Sequence, residues 1–147
     1  SKLVEPTAAI PAEEEPTVKL LESKYQNNGV WLIGVETRSE SNQRTWKGRS
    51  NRTVKARKAV SWLFGRTLRD LAPFAHHFHC GGYLRIVFTR IGPGKLDRGN
   101  VANAVKAVED AVALFLGADD GDEHWLSSYE QEQGPCYGVR VVMQTLP

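Results

Sequence analysis

The sequence predicts an α+β domain: a mixed β-sheet covered by two main helices, in the order β-β-α-β-α-β-β. Strand-like runs rich in β-branched and aromatic residues are interrupted by two stretches whose apolar residues recur at helical spacing. Asn-Gly and Gly-Pro pairs separate the runs where a chain of this kind must turn. With 147 residues, 41% of them hydrophobic, the chain is long enough to bury one core.

Residues 1–16 hold four glutamates, three prolines and one lysine. Too little apolar surface is present there to repay the entropy of ordering, so a disordered tail is expected, with the domain occupying residues 17–147. Thr17–Ser23 and Val30–Glu36 read as strands joined by Gln26-Asn27-Asn28-Gly29, because Asn-Gly tolerates the positive φ of a hairpin turn. The polar run Thr37–Ser50 reads as a loop. From Asn51 to Leu71 the spacing of Val54, Val60, Trp62, Leu63, Phe64 and Leu68 is helical, with bases on the other faces. Gly81–Arg90 is the clearest strand, stopped by Gly92-Pro93-Gly94. A second helix runs from Asn100 to Leu116, closed by Gly117. Glu123–Gln131 and Tyr137–Thr145 complete the sheet, separated by Gly134-Pro135.

A net charge of +2 conceals a strong asymmetry. Between Arg38 and Arg69 lie ten bases (Arg38, Arg44, Lys47, Arg49, Arg52, Lys55, Arg57, Lys58, Arg66 and Arg69) and one acid, Glu40. A polyanion would feel that segment rather than the global average. Within it, Arg38, Arg44, Trp46, Lys47, Arg49, Arg52, Lys55, Arg57 and Lys58 are the candidate DNA contacts, with Trp46 either stacking on an exposed base, wedging at a branch point or serving as a half-buried packing residue beside a solvated charged face. Trp31, Trp62 and Trp125 read more simply as core or interface residues.

Cys80 and Cys136 show no CxxC spacing, so neither a disulfide framework nor a thiolate metal site is expected. The run His76-His77-Phe78-His79-Cys80 matches no structural zinc motif and reads as a lead-in from loop to strand. No apolar run approaches the roughly 18 residues of a membrane span, and the acidic, proline-rich start lacks the pattern of a signal peptide. A cytoplasmic protein without a membrane partner is the expectation.

The second helix is the richest stretch. At about 100° per residue, Val101, Val105, Val108, Val112 and Phe115 share one face about 80° wide. Asn100, Asn103, Lys106 and Asp110 fall opposite. Asp97 precedes the helix, and Asp119, Asp120 and Asp122 follow it. Magnesium takes one or two carboxylates together with water and phosphate oxygens. Asp97 with Asp119 or Asp120 would supply them if the fold brings both ends of the helix together. Otherwise Asp119-Asp120-Gly121-Asp122 is a polar turn and Lys106–Asp110 a surface pair.

The run Leu96-Asp97, Asn100, Lys106, Asp110-Ala111-Val112, Leu116-Gly117 and Asp119-Asp120-Gly121-Asp122, preceded by Thr89-Arg90-Ile91-Gly92-Pro93, resembles the RusA-like endodeoxyribonucleases. These are Holliday junction resolvases carried by phages and prophages. The likeness extends over Thr37–Asn42 and Tyr129–Gln131 and covers residues 30–145. It implies a small α+β homodimer that binds four-way DNA junctions and cuts them with Mg²⁺ or Mn²⁺. Carried over by position, Asp97 is the first metal-binding acid and Asp119 or Asp120 the late one, with Lys106 and Asp110 assisting catalysis. Two positions depart from the family pattern. Gly99, beside Arg98, stands where the family has a second acid, and the lysine sits one helical turn later, at Lys106. A chain that has lost one of three ligand carboxylates can keep DNA binding while losing turnover. The leading reading is therefore a magnesium-dependent, structure-selective endonuclease that resolves Holliday junctions or other branched DNA. The alternatives are a catalytically degenerate branched-DNA binder of the same fold and a phage structural or assembly protein.

Overall fold

A computed structural model describes residues 28–37, 46–119 and 121–147. The elements are β1 (Asn28–Ile33), α1 (Trp46–Arg66), α2 (Leu68–His79), β2 (Tyr83–Gly92), α3 (Arg98–Leu116), β3 (Trp125–Gln133) and β4 (Gly138–Leu146). The α+β class follows directly: one mixed four-stranded sheet, in the order β1-β4-β2-β3, with three helices. β4 pairs antiparallel with both β1 and β2, whereas β2 and β3 are parallel. Parallel neighbours cannot be joined by a tight turn, and α3 is the crossover that joins them. The order within the described residues is β-α-α-β-α-β-β. The expected strand Thr17–Ser23 and the tail lie outside them.

Alternation along the strands divides the apolar residues between the two faces of the sheet. Trp31, Ile33, Leu84, Ile86, Phe88, Trp125, Val139, Val141 and Met143 point toward the helices and form the main core with Val60, Leu63, Phe64, Leu71, Phe74, Val105, Val108 and Val112. Val30, Leu32, Ile91 and Val142 make a smaller buried cluster on the opposite face. Edge-to-face contacts from Trp31 to Phe64 (5.3 Å) and Phe74 (5.9 Å), and from Phe64 to Phe115 (5.5 Å), tie β1, α1, α2 and α3 together.

Three expectations change. Asn28-Gly29 belongs to β1 rather than to a turn. A Cβ on Gly29 would stand 2.5 Å from the Trp31 ring, so the glycine serves close packing instead of positive φ. The basic helix starts at Trp46, inside the expected loop, and ends at Arg66. Thr67 then leaves helical geometry (φ −124°, ψ 33°). Its hydroxyl donates to the Leu63 carbonyl (2.8 Å) and accepts the Trp31 indole N–H (3.0 Å). Its own carbonyl accepts the N–H groups of Asp70 and Leu71, which starts α2.

α2 replaces the expected lead-in around His76–Cys80 and accommodates Pro73. Its signal in the sequence was Leu71, Phe74 and Phe78 at spacings of three and four. His77 Nε2 contacts the Leu146 carbonyl (2.9 Å) and His79 Nε2 the Leu116 carbonyl (2.7 Å), so two of these histidines brace the ends of β4 and α3. α3 closes as expected: Gly117 is left-handed (φ 69°), and Ala118 N–H reaches back to Ala113 (2.8 Å).

Candidate nucleic-acid interface

α1 carries Lys47, Arg49, Arg52, Lys55, Arg57, Lys58 and Arg66 and no acid. Burial of Ala56, Val60, Leu63 and Phe64 against the core sets its rotation. Seen down the axis, Lys55, Lys58, Trp62 and Arg66 then share an arc about 80° wide on the far side. All four are exposed, Trp62 by 42%. The Arg66 guanidinium lies 4.8 Å from the centre of the Trp62 ring. Arg57 is exposed on an adjoining face and Arg52 is half-buried. Trp46, Lys47 and Arg49 lie on the backbone of the first turn of α1, and their side chains are outside the described set. Arg38 and Arg44 are wholly outside it.

The tryptophans separate cleanly. Trp31 and Trp125 are core residues at 1% and 4% exposure, as expected, whereas Trp62 belongs to the surface stripe. Leu63 and Phe64, not Trp62, satisfy the helix's apolar face. The spacing of Trp62 four residues from both Lys58 and Arg66 was the available signal.

The acids do not converge. Asp97 is the residue before α3, and Asp119 follows its C-terminal cap. Nineteen helical residues separate them, a rise of about 28 Å. Lys106 and Asp110 pair with each other (3.1 Å) midway along the exposed side, each 47% exposed. Asp119 Oδ1 accepts the Gly121 N–H (3.0 Å) in the turn. Asp122 Oδ1 accepts the His124 N–H (2.8 Å) and meets the His124 ring (3.1 Å). Those bonds hold the Asp122 carboxyl below the usual carboxylate value. Asp120 lies outside the described residues. Among the described residues no group of three or more His, Cys, Asp and Glu is placed to share a metal ion. Magnesium ligands must sit about 2.1 Å from one point, so the described carboxylates do not fit a site joining both ends of α3 within one chain.

The mouth formed by the C-terminal ends of β2 and β3 is nevertheless well built. The Gln131 amide donates to the Leu96 carbonyl (2.8 Å) and accepts the Leu96 N–H (2.9 Å), fixing the residue before Asp97. Gln133 donates to the Pro93 carbonyl (3.2 Å). Arg90, 3% exposed, donates to the Gly94 and Thr37 carbonyls and sits over Tyr137. Burial pulls its guanidinium below the ordinary arginine value, and Tyr137 acts in the other direction. Asp97 itself is exposed, and its carboxylate makes no capping bond to α3.

One acid escaped the sequence reading. Glu109, 1% exposed, accepts the Trp125 indole N–H (3.0 Å) and the Tyr129 hydroxyl (2.6 Å). It lies about 80° from Val101, on the flank of the core face rather than on the polar stripe. Burial, followed by donation to Glu109, pushes the Tyr129 phenol above its ordinary value.

No family model matches the chain, and no curated protein does. Thiamine monophosphate kinase from Aquifex aeolicus is similar in structure over 93% of this chain and 44% of its own, with a TM-score of 0.35 and 14% identity. The chain spans less than half of that protein, and at this depth of likeness nothing of its chemistry transfers. No described helix is long and apolar enough to cross a membrane.

Proposed function

We propose that the chain binds branched DNA, as a RusA-like protein in which the binding surface outlasts the cutting site. The observation that supports this most is the charge of α1: seven bases, no acid, and an exposed face that combines Lys55, Lys58 and Arg66 with an aromatic ring. Such a surface neutralises phosphates without reading sequence, and its affinity depends on released counterions. Lys55 to Arg66 covers about 16 Å of helix, matching roughly five phosphates along one strand. Gly99, in place of the family's acid, and the separation of Asp97 from Asp119 both weigh against cutting by a single chain.

The magnesium-dependent resolvase is the second reading, favoured by one feature. Asp97 is exposed and its carboxylate is not spent on capping α3, so it remains available as a ligand. That reading requires its fellow ligands from a second copy, as in a homodimer, or from Asp120.

The test is a four-way junction labelled at each 5′ end, assayed for binding and for nicks in Mg²⁺ and Mn²⁺. Binding that falls linearly with the logarithm of salt concentration is expected, with no paired nicks. Lys55→Ala/Lys58→Ala should reduce the magnitude of that slope by roughly 1.8 on duplex arms. Binding indifferent to salt, or none at low salt, sinks the DNA reading. Paired nicks abolished by Asp97→Asn establish the resolvase instead.

A further inference from the structure

We infer that Trp62, oriented by Arg66, is a stacking platform for an unpaired base, so that the α1 surface selects single-stranded or branch-point DNA over continuous duplex. This rests on the DNA-binding reading and adds the element that gives it structural preference.

Trp62 sits on a helix whose core face is already complete without it, and it keeps 42% of its surface open. A single exposed apolar side chain is ordinary; what distinguishes Trp62 is that its open ring lies on one arc with the exposed Lys55, Lys58 and Arg66. The Arg66 guanidinium, 4.8 Å from the ring centre, holds the indole against the helix by a cation–π contact. A ring already oriented loses less freedom when a base stacks on it. Lys58 and Lys55, one and two turns earlier on the same arc, place positive charge where the strand must continue.

The occupant follows from the chemistry. Every base has a π-face, so stacking on an indole tolerates any sequence, and a track of lysines and arginine fits a phosphate backbone. In an intact duplex the bases are stacked on each other and present only their edges in the grooves. A flat ring on a convex helix therefore gains a partner only where a base is unpaired, as in single strands and at branch points.

The experiment uses the full chain with three fluorescein-labelled DNAs: a single strand, its matched duplex and a four-way junction. Anisotropy titrations compare wild type with Trp62→Ala, Trp62→Phe and Lys55→Ala/Lys58→Ala, each checked by circular dichroism. Trp62→Ala is expected to weaken single-strand and junction binding roughly 5- to 150-fold while changing duplex binding little. Trp62→Phe should recover much of that loss, and the lysine variant should weaken all three DNAs. Wild-type tryptophan emission should also quench on single strands, and Trp62→Phe should reduce that quenching, with any remainder assigned to Trp46 by Trp46→Phe. Equal losses on all three DNAs with Trp62→Ala, or none, overturn the platform while leaving a DNA binder in place. If wild type binds none of the three at low salt, the binding reading falls and the platform with it.

Discussion

Replacing Glu109 by Leu removes the buried carboxylate that joins α3 to β3 while keeping a side chain of similar size. Glu109 and Trp125 are 1% and 4% exposed, so after the change the indole N–H is a buried donor without its acceptor. An unsatisfied group of this kind costs about 1–3 kcal/mol. The Tyr129 hydroxyl escapes that cost, since it is partly exposed and lies 3.3 Å from Ser127 Oγ. Relief from burying a charge offsets part of the loss. A net destabilisation of about 1.5 kcal/mol is expected, or a fall in Tm of about 5 °C for a domain of this size. Glu109→Gln should cost less, because its carbonyl still accepts the indole N–H and its amide can donate to Tyr129.

Urea unfolding of Glu109→Leu, Trp125→Phe and the double variant isolates the pair. The double variant no longer carries the orphaned donor, so the two single losses should exceed the double by about 1.5 kcal/mol. If Glu109→Leu is as stable as wild type, or the cycle closes to within about 0.5 kcal/mol, the hydrogen bonds do not hold β3 to α3 and the reasoning fails.

Three further outcomes follow from the same structure. Open space surrounds a Cβ at Gly99 in the first turn of α3, so Gly99→Asp should raise stability by about 1 kcal/mol through helix propensity and the helix dipole. A drop in Tm on thermal melting would contradict that. Thr67→Val removes the acceptor of the Trp31 indole, a ring 1% exposed, and should cost about 1–3 kcal/mol in urea unfolding, whereas a neutral result would deny the anchor between β1 and the α1–α2 junction. Hydrogen bonds from His124 depress the Asp122 carboxyl in the folded chain. The stabilisation is therefore present above its unfolded value near about 3.9 and lost as pH falls through the lower folded value. Melts of wild type and Asp122→Ala between pH 2 and 7 should converge at the acid end, and a gap that widens there would reverse the sign.

Local chemistry made much of the fold legible in advance. Val101, Val105, Val108 and Val112 mark the buried face of α3, and Gly117 ends it, because helical periodicity and a left-handed cap depend only on neighbours in sequence. The basic character of α1 was equally plain, since charge is a property of composition. What stayed hidden depended on partners distant in the chain. Thr67 divides α1 from α2 because Trp31, 36 residues earlier, donates to its hydroxyl. Gly29 reads as a turn residue until the Trp31 ring is seen against it. Glu109 looks like one more surface acid until Trp125 and Tyr129 arrive from β3.

The candidate site divides the same way. From the sequence alone came the α+β class, the helical stripe of α3, and a basic segment suited to a polyanion. The sequence also set Asp97 and Asp119 at opposite ends of that helix. Only the tertiary structure decided that Glu109 is buried against Trp125 and Tyr129, and that Trp62 faces outward with Arg66 rather than into the core. The physical reason is that periodicity fixes which side of a helix a residue occupies and rise fixes how far apart its ends stand, whereas the choice of which side is buried is set by what packs against the helix.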